Sequence, residues 1–105
     1  MVEYPARRDP KRPRLHPGKL LRDEALPAIG KPKTEIARLL GISRQTLYGI
    51  LDEKLPITPA MALRIGKLCG NGPSLWLSMQ QSYDLWHAEQ KMKDELAAIP
   101  NLNAA

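Results

Sequence analysis

Apolar residues recur at helical spacing in two short segments within residues 33–52, one on each side of Gly41. Each segment has three apolar side chains that share one helix face. These side chains are Ile36, Leu39 and Leu40, then Leu47, Ile50 and Leu51. Glycine between two such segments favours a tight turn because it adopts a positive φ without strain. The pattern therefore predicts two short helices that meet at a corner, a helix-turn-helix.

The corner has the residue types that this motif requires. Ala37 is small enough to let the helices approach, and Ile42 fills the angle between them. Ser43 is placed to cap the second helix, with its hydroxyl accepting from a backbone N–H one turn later. Because these independent local signals agree, the segment is interpreted as a DNA-reading unit and not as an arbitrary helix pair.

Flanking residues predict three further helices and hence an all-α, five-helix fold. Pro27 limits the first helix. Thr58 and Pro59 begin the fourth, since the hydroxyl caps and the ring presets φ at the first helical position. The predicted bounds are about 18–26 for the first, 58–69 for the fourth and 73–96 for the fifth.

The N-terminal residues 1–15 contain three prolines among five basic side chains, which forbids a helix and predicts an extended basic arm. Such an arm can follow phosphates or enter a minor groove, and it can equally be a solvated tail or touch a protein partner. The predicted organisation is this arm, one domain over 16–97 and a tail over 98–105.

Charge follows this organisation. The 105 residues suit one domain, and their formal net charge is +5. The arm holds five basic and two acidic side chains, residues 16–57 hold seven and five, and residues 58–105 hold four and four. Positive charge thus accompanies the arm and the helix-turn-helix, which favours a polyanionic partner.

The remaining composition favours a cytoplasmic protein without catalysis. The single cysteine, Cys69, cannot form an internal disulfide, and no apolar run approaches the roughly 20 residues of a membrane span. Two histidines, no paired carboxylates in a plausible cleft, no Gly-rich phosphate loop and no metal-ligand spacing predict no enzyme, no cofactor and no metal site. His16 is interpreted as a capping or surface histidine.

The N-terminal end of the second helix of the motif would enter a DNA major groove. There Arg44 can pair with the O6/N7 edge of guanine and Gln45 with adenine, while Tyr48 reaches a phosphate or a thymine methyl. Lys33, Arg38 and the basic arm would mainly set affinity and salt dependence. The full predicted DNA-binding set is Lys33, Thr34, Arg38, Ser43, Arg44, Gln45, Thr46 and Tyr48.

The fifth helix carries an aromatic stripe at spacings of three, four and three residues. Its members are Trp76, Met79, Tyr83 and Trp86. A small domain needs only part of so long a stripe for its own core, so the rest is predicted to contact a second subunit. A purely intramolecular stripe is the alternative.

Four blocks of sequence carry a family resemblance: HPGKLLRDEAL, TEIARLLGISRQTLYGIL, PITPAMALRIGKLCG and PSLWLSMQQSYDLWHAE. In this order, over about residues 16–89, they resemble the HigA-type antitoxins of toxin-antitoxin modules, part of the lambda-repressor-like Xre/Cro helix-turn-helix group. The resemblance implies a homodimer that represses its own operon. Two reading helices in successive major grooves, about 34–36 Å apart, would then require an inverted-repeat operator. It also implies neutralisation of a RelE- or HigB-like ribonuclease toxin.

The chain departs from the family pattern at several positions. Pro32-Lys33 replaces a frequent Ser-Gln, Asp52-Glu53 replaces Asn-Gly, and Gly72 stands where Ser usually caps the fifth helix. Gly49 inside the reading helix is intrinsically unfavourable. Two acids near the presumed DNA face and the altered cap at Pro32 keep open a toxin inhibitor with little DNA role. A stand-alone Xre-type regulator is the other alternative.

Overall fold

Six helices build the part of the chain that the structure, a computed structural model, describes, which is residues 12–103. Helix α1 has three contiguous segments, Pro17–Leu20, a π-helical turn Leu21–Ala25 and Leu26–Ile29. The others are α2 (Lys33–Leu40), α3 (Arg44–Leu51), α4 (Pro59–Cys69), α5 (Ser74–Lys91) and α6 (Lys93–Ala98). No strand occurs between residues 12 and 103, which confirms the all-α prediction. The arm prediction falls mostly outside the described residues, and the domain bounds stay a prediction.

Helix α1 continues past Pro27, so the prediction that this residue limits the helix is wrong. Proline normally interrupts a helix because its ring crowds the carbonyl four residues earlier and it has no N–H to donate. Here the preceding turn is π-helical, and the N–H of Leu26 donates to the carbonyl of Leu21, five residues back. The wider turn accommodates the ring, and the helix ends only at Gly30, whose φ is +75°.

The helix-turn-helix is confirmed in its details. Gly41 has a φ of +73° and links α2 to α3. Ala37 is buried between the helices, and Ile42 packs against the core at the corner. Ser43 caps α3, with its Oγ accepting from the N–H of Thr46 at 3.0 Å. The local signals in the sequence were sufficient to define this corner.

Close backbone contacts fix the helices that flank the motif. A Cβ on Gly18 would lie 2.0 Å from the carbonyl oxygen of Ile50, so α1 touches the backbone of α3 directly. A Cβ on Gly66 would lie 2.2 Å from the carbonyl carbon of Gly72, so α4 meets the start of α5 equally closely. Gly72 itself has a φ of +78°. Serine would be strained there, which corrects the interpretation of Gly72 as a weakened cap.

The core lies where α1 to α5 converge. Its fully buried members come from every one of these helices and from the loop before α4. They are Leu21, Leu26, Ile36, Ala37, Leu40, Leu47, Ile50, Leu51, Ile57, Ala62, Ile65 and Trp76. Thr58 caps α4 as predicted, with its hydroxyl accepting from the N–H of Met61 at 3.2 Å. The predicted inner faces of α3 and α4 are thereby confirmed, and that of α2 holds for Ile36 and Leu40. Leu39 is 44% exposed, so its predicted place on the inner face of α2 is wrong.

The predicted fifth helix is two helices. It breaks at Met92, whose φ of −107° and ψ of 18° are not helical, and α6 follows. The N–H of Met92 is shared between the carbonyls of Ala88 and Glu89, at 3.0 and 3.3 Å. Every residue from 91 to 103 is exposed, so α6 projects from the domain without adding to its core.

Candidate nucleic-acid interface

The N-terminal end of α3 presents polar side chains to solvent. Ser43, Arg44 and Gln45 are exposed and Thr46 is half-buried, while Leu47 begins the buried side of the helix. The Oγ of Ser43 also donates to the Oγ1 of Thr46 at 2.9 Å, so these two side chains order the first turn. Arg44 and Gln45 therefore project from a capped and anchored helix end, as the sequence predicted.

The N-terminal end of α2 offers a second polar surface. Lys33 and Thr34 are exposed. No side chain caps this helix at Pro32, and the N–H groups of Glu35 and Ile36 bond to the carbonyl of Pro32. The first turn thus combines a lysine with the positive end of the helix dipole, which is a suitable arrangement for a phosphate group.

Arg38 is exposed but is not an unpaired cation. Its Nε donates to Glu35 Oε1 at 3.0 Å, and its Nη2 donates to the second carboxylate oxygen. These hydrogen bonds hold the pKa of Glu35 below its usual value, and Lys31 contributes in the same direction. The charge of Arg38 is therefore locally balanced, a feature that the sequence analysis did not include.

Tyr48 is 44% exposed on the outer side of α3. The next residue, Gly49, faces inward, and a Cβ there would lie 2.5 Å from Cδ1 of Leu55. The carbonyl of Gly49 accepts from the N–H groups of both Lys54 and Leu55. Glycine at this position leaves room for the chain after α3 to fold back onto the helix. Packing within the chain therefore explains why a glycine occurs inside α3.

The end of α3 has the hydrogen bonds of a Schellman motif, in which the residue after the cap is left-handed. The N–H of Glu53 donates to the carbonyl of Ile50 at 3.0 Å, and the N–H of Lys54 donates to that of Gly49 at 2.9 Å. Glu53 has a φ of +63°, in the place where a glycine is usual. The side chain of Asp52 is exposed, and that of Glu53 is half-buried.

Two arginines from outside the motif bind its helix ends, and neither was predicted from the sequence. Arg22 of α1 donates from Nη1 to the carbonyl of Leu51 at 2.8 Å. Arg64 of α4 donates from Nη1 to the carbonyl of Leu40 at 2.7 Å. Each arginine meets the negative end of a helix dipole. The contacts join residues 29 and 24 positions apart, so no local pattern signals them.

The predicted aromatic stripe lies on the inner side of α5. Trp76 is 1% exposed, and its Nε1 donates to Oδ1 of Asn71 at 3.1 Å. Trp76 is therefore a core residue, and its assignment to a dimer interface is corrected. Met79, Tyr83 and Trp86 are half-buried, and their role between subunits stays a prediction.

His16 caps α1 from a buried position, in agreement with one of its two predicted roles. Its Nδ1 accepts from the N–H of Gly18 at 2.9 Å, and its ring meets the edge of Tyr83 at 4.9 Å between centroids. Burial lowers the pKa of His16, although Glu53, Asp84 and a hydrogen bond to the backbone of Leu55 act in the opposite direction. The neutral imidazole is the form that this site holds.

Gln80 is a buried polar residue that the sequence analysis did not single out. Its Oε1 accepts from the N–H of Ile57 at 2.8 Å, and its Nε2 donates to Oδ1 of Asp84 at 2.9 Å. A buried amide stabilises a fold only when its hydrogen bonds are made. Gln80 thereby attaches the loop before α4 to α5.

Other kinds of site find little support in the described residues. No group of three or more His, Cys, Asp or Glu side chains in residues 12–103 is arranged to hold a metal ion. Burial raises the pKa of the Cys69 thiol, which disfavours the reactive thiolate. Within the same range, no helix has the length and apolar character needed to cross a membrane.

Comparison with known proteins identifies antitoxins and a virulence-associated protein among the relatives of this chain. Antitoxin HigA of Pseudomonas aeruginosa, solved with the higBA promoter, matches with a TM-score of 0.80 and 32% identity over 87% of this chain and 99% of that one. Antitoxin GraA, solved with its operator, matches with a TM-score of 0.80 and 35% identity over 92% and 98%. Virulence-associated protein I of Dichelobacter nodosus is 36% identical over 88 residues, 84% of this chain and 82% of that protein.

No protein-family model matches the chain. The similarity to the solved antitoxins nevertheless extends over nearly the whole of their length, and their sequence identity to this chain exceeds 30%. Such a match includes the motif, the helices that flank it and α5 together. The chain belongs to the family of HigA-type antitoxins within the helix-turn-helix regulators.

Proposed function

We propose that this protein is an antitoxin and autorepressor that binds operator DNA as a homodimer and neutralises a RelE- or HigB-like ribonuclease toxin. The observation that supports this proposal most directly is that Arg44 and Gln45 are exposed at the capped N-terminal end of α3. The similar antitoxins HigA and GraA were solved with a promoter and with an operator, which supports the same use of this surface. The proposed role is binding and not catalysis.

The exposed residues divide into two groups by the DNA contact that each suits. Arg44 and Gln45 are assigned to base edges, because arginine bonds guanine and glutamine bonds adenine through paired contacts. Lys33, Thr34 and the first turn of α2 are assigned to phosphates. Arg38 and Tyr48 flank these groups, and Ser43 and Thr46 order the first turn of α3. Base contacts would set sequence preference, and phosphate contacts would set affinity.

The homodimer is proposed to form through the outer side of α5 and through α6. Leu85 is 64% exposed, and it lies nine residues after Trp76, which at about 100° per residue places it on the opposite side of the helix. The apolar residue Leu96 is exposed within α6, and Met92 and Ile99 are exposed at its two ends. A second copy would cover this apolar stripe and present two α3 helices at about 34–36 Å, so the operator would be an inverted repeat.

Toxin neutralisation rests on the family and not on a surface of this chain. The alternative of an inhibitor with little DNA role depended on the two acids after α3 and on the altered cap at Pro32. That alternative is weakened because Arg22 faces the carboxylate of Glu53 at 3.5 Å.

Co-expression with a neighbouring ribonuclease gene tests toxin neutralisation directly. Restored growth and co-purification are expected, and a lack of both would favour a stand-alone regulator.

A gel-shift series on the protein's own promoter tests the DNA assignment. Arg44→Ala and Gln45→Ala should each weaken specific binding by about 5- to 100-fold, since a good bidentate base contact contributes about 1–3 kcal/mol. Binding to unrelated DNA should change much less. Lys67→Ala is the matched control, because it removes an exposed positive charge from α4 and should leave specific binding within about twofold. Unchanged promoter binding by both variants of α3 would refute the assignment.

A further inference from the structure

The carboxylate of Glu53 lies at the C-terminal end of the proposed reading helix. The Schellman hydrogen bonds fix the backbone there, and Glu53 is the one non-glycine residue with positive φ among residues 12–103. Its side chain is half-buried against α1. The position of this acid is therefore determined by the helix ending and does not depend on a flexible loop.

Arg22 contacts this helix end at two points. Its Nη1 donates to the last carbonyl of α3, that of Leu51, at 2.8 Å, and the same atom lies 3.5 Å from Oε2 of Glu53. Its Nε donates to Oδ1 of the neighbouring Asp23 at 3.0 Å, so the guanidinium is held from α1. One cation therefore faces both the negative end of the helix dipole and an acidic side chain.

The end of α3 lies near the phosphates if Arg44 and Gln45 read bases. Eight residues at 1.5 Å each make α3 about 12 Å long, comparable with the width of the major groove. An unpaired carboxylate at its end would lie within about one Debye length, roughly 10 Å at 0.1 M salt, of the DNA backbone. Repulsion of phosphates by that charge would weaken binding.

We propose that Arg22 is a positioning residue for DNA binding, which holds and neutralises Glu53 so that the end of the reading helix can approach the DNA backbone. This inference rests on the proposed operator binding. It explains how a chain with an acid in place of the usual glycine at this helix ending can keep a DNA-compatible surface. Arg22 acts through Glu53 and needs no contact with DNA.

A double-mutant cycle tests the inference, with operator affinity measured by fluorescence anisotropy at 0.1 M salt. Arg22→Met should weaken operator binding about three- to tenfold, because the carboxylate is left unpaired. Glu53→Gln should bind within about twofold of the unmodified protein. The double variant should regain the affinity of Glu53→Gln. Restoration is the decisive result, because a direct contact between Arg22 and phosphate could not be restored by changing Glu53.

Arg64→Met is the matched control. Arg64 also donates to the last carbonyl of a motif helix, and within residues 12–103 it has no ion pair with a carboxylate. Glu53→Gln should improve this variant no more than it improves the unmodified protein, although the net charge is the same as in the Arg22 double variant. Equal restoration in both backgrounds would reveal a general charge effect and overturn the inference.

Thermal unfolding of every variant ensures that folded proteins are compared. If Arg22→Met is unfolded at the assay temperature, Arg22→Lys replaces it, since it keeps the charge but cannot meet both acceptors with a planar fork. Its loss of affinity should be smaller and again removed by Glu53→Gln. Failure of the unmodified protein to bind the operator would refute the proposed function. Normal operator binding by a folded Arg22→Met protein that keeps Glu53 would refute this inference and leave the proposed function standing.

Discussion

At the scale of single residues, His16 joins more of the structure than any local pattern indicates. It is 3% exposed, caps α1 through Nδ1, hydrogen-bonds the backbone of Leu55 and meets the ring of Tyr83. Protonation of Nδ1 would replace the acceptor that Gly18 needs with a donor. The site thus links the start of α1, the loop after α3 and α5 through one neutral ring.

This geometry predicts a pH-dependent stability. Burial lowers the pKa of His16 below its unfolded value of 6.5, so the unfolded chain binds the proton more readily than the folded one. The contribution of His16 is therefore complete above pH 6.5 and is lost as the pH falls through the folded pKa. We expect the free energy of unfolding, measured by urea titration, to decline from pH 7 towards pH 5.

His16→Asn is the control, because its side-chain oxygen can cap α1 without titrating. The pH profiles of the two proteins should differ between pH 7 and 5, with the flatter profile in the variant. His87, Asp84 and Glu53 lie near this site and are the same in both proteins, so the difference between the two profiles reports on the replaced side chain. Parallel profiles would show that His16 is not responsible.

Residues whose roles are local could be predicted from the sequence, and residues that act across the fold could not. Ser43, Thr58 and Gly41 each act within one turn of their own position, and the structure confirms them. Arg22 reaches a carbonyl 29 residues away, and Gln80 reaches an N–H 23 residues away. Such pairs depend on how the helices pack, which periodicity does not determine.

At the scale of helices, the predicted bounds are wrong where a turn has irregular geometry that the local sequence pattern does not signal. Pro27 is a reliable stop only when the preceding turn is regular, and the π-helical turn before it removes the conflict. The break at Met92 has neither glycine nor proline to signal it. The helices themselves and most of their buried residues followed from the apolar spacing, with the exposed Leu39 as an exception, whereas these irregularities arise from turn geometry.

The end of α3 carries a measurable strain. A left-handed conformation costs a non-glycine residue about 1–2 kcal/mol, and Glu53 adopts it with a φ of +63°. Glu53→Gly should remove this strain. The lost contact with Arg22 and the greater freedom of the unfolded chain oppose the gain, so we expect a net increase of about 1 kcal/mol in the free energy of unfolding. Thermal unfolding should show an increase of roughly 5 °C.

Asp52→Gly provides the comparison for this prediction. Asp52 is exposed and has a φ of −85°, which any residue adopts without strain. Glycine there gains nothing in the folded state and adds freedom to the unfolded chain, so this variant should be less stable by up to about 1 kcal/mol. Opposite signs at adjacent positions would locate the strain in Glu53. Equal effects would show that the helix ending carries none.

At the scale of the whole molecule, α5 and α6 extend well beyond what one core requires. The part of the chain that the structure describes has principal extents of 54 × 34 × 21 Å and is therefore elongated. Exposed apolar side chains follow one another along this extension, namely Leu85, Met92, Leu96, Ile99 and Leu102. Exposed apolar side chains that recur in this way favour an association site. A second copy is the occupant that an inverted-repeat operator requires.

The last prediction concerns this interface. Leu85→Glu should leave the monomer fold intact, because the side chain is 64% exposed, and should shift the protein from dimer to monomer by placing a charge in an apolar contact. Leu63→Glu is matched closely, since Leu63 is 61% exposed on α4, and it should remain dimeric. Sedimentation equilibrium gives the two masses, and gel shifts on full and half operators should show that Leu85→Glu loses the preference for the full site. A dimeric Leu85→Glu would exclude the outer side of α5 and leave Met79, Tyr83 and Trp86 as the place where two copies meet.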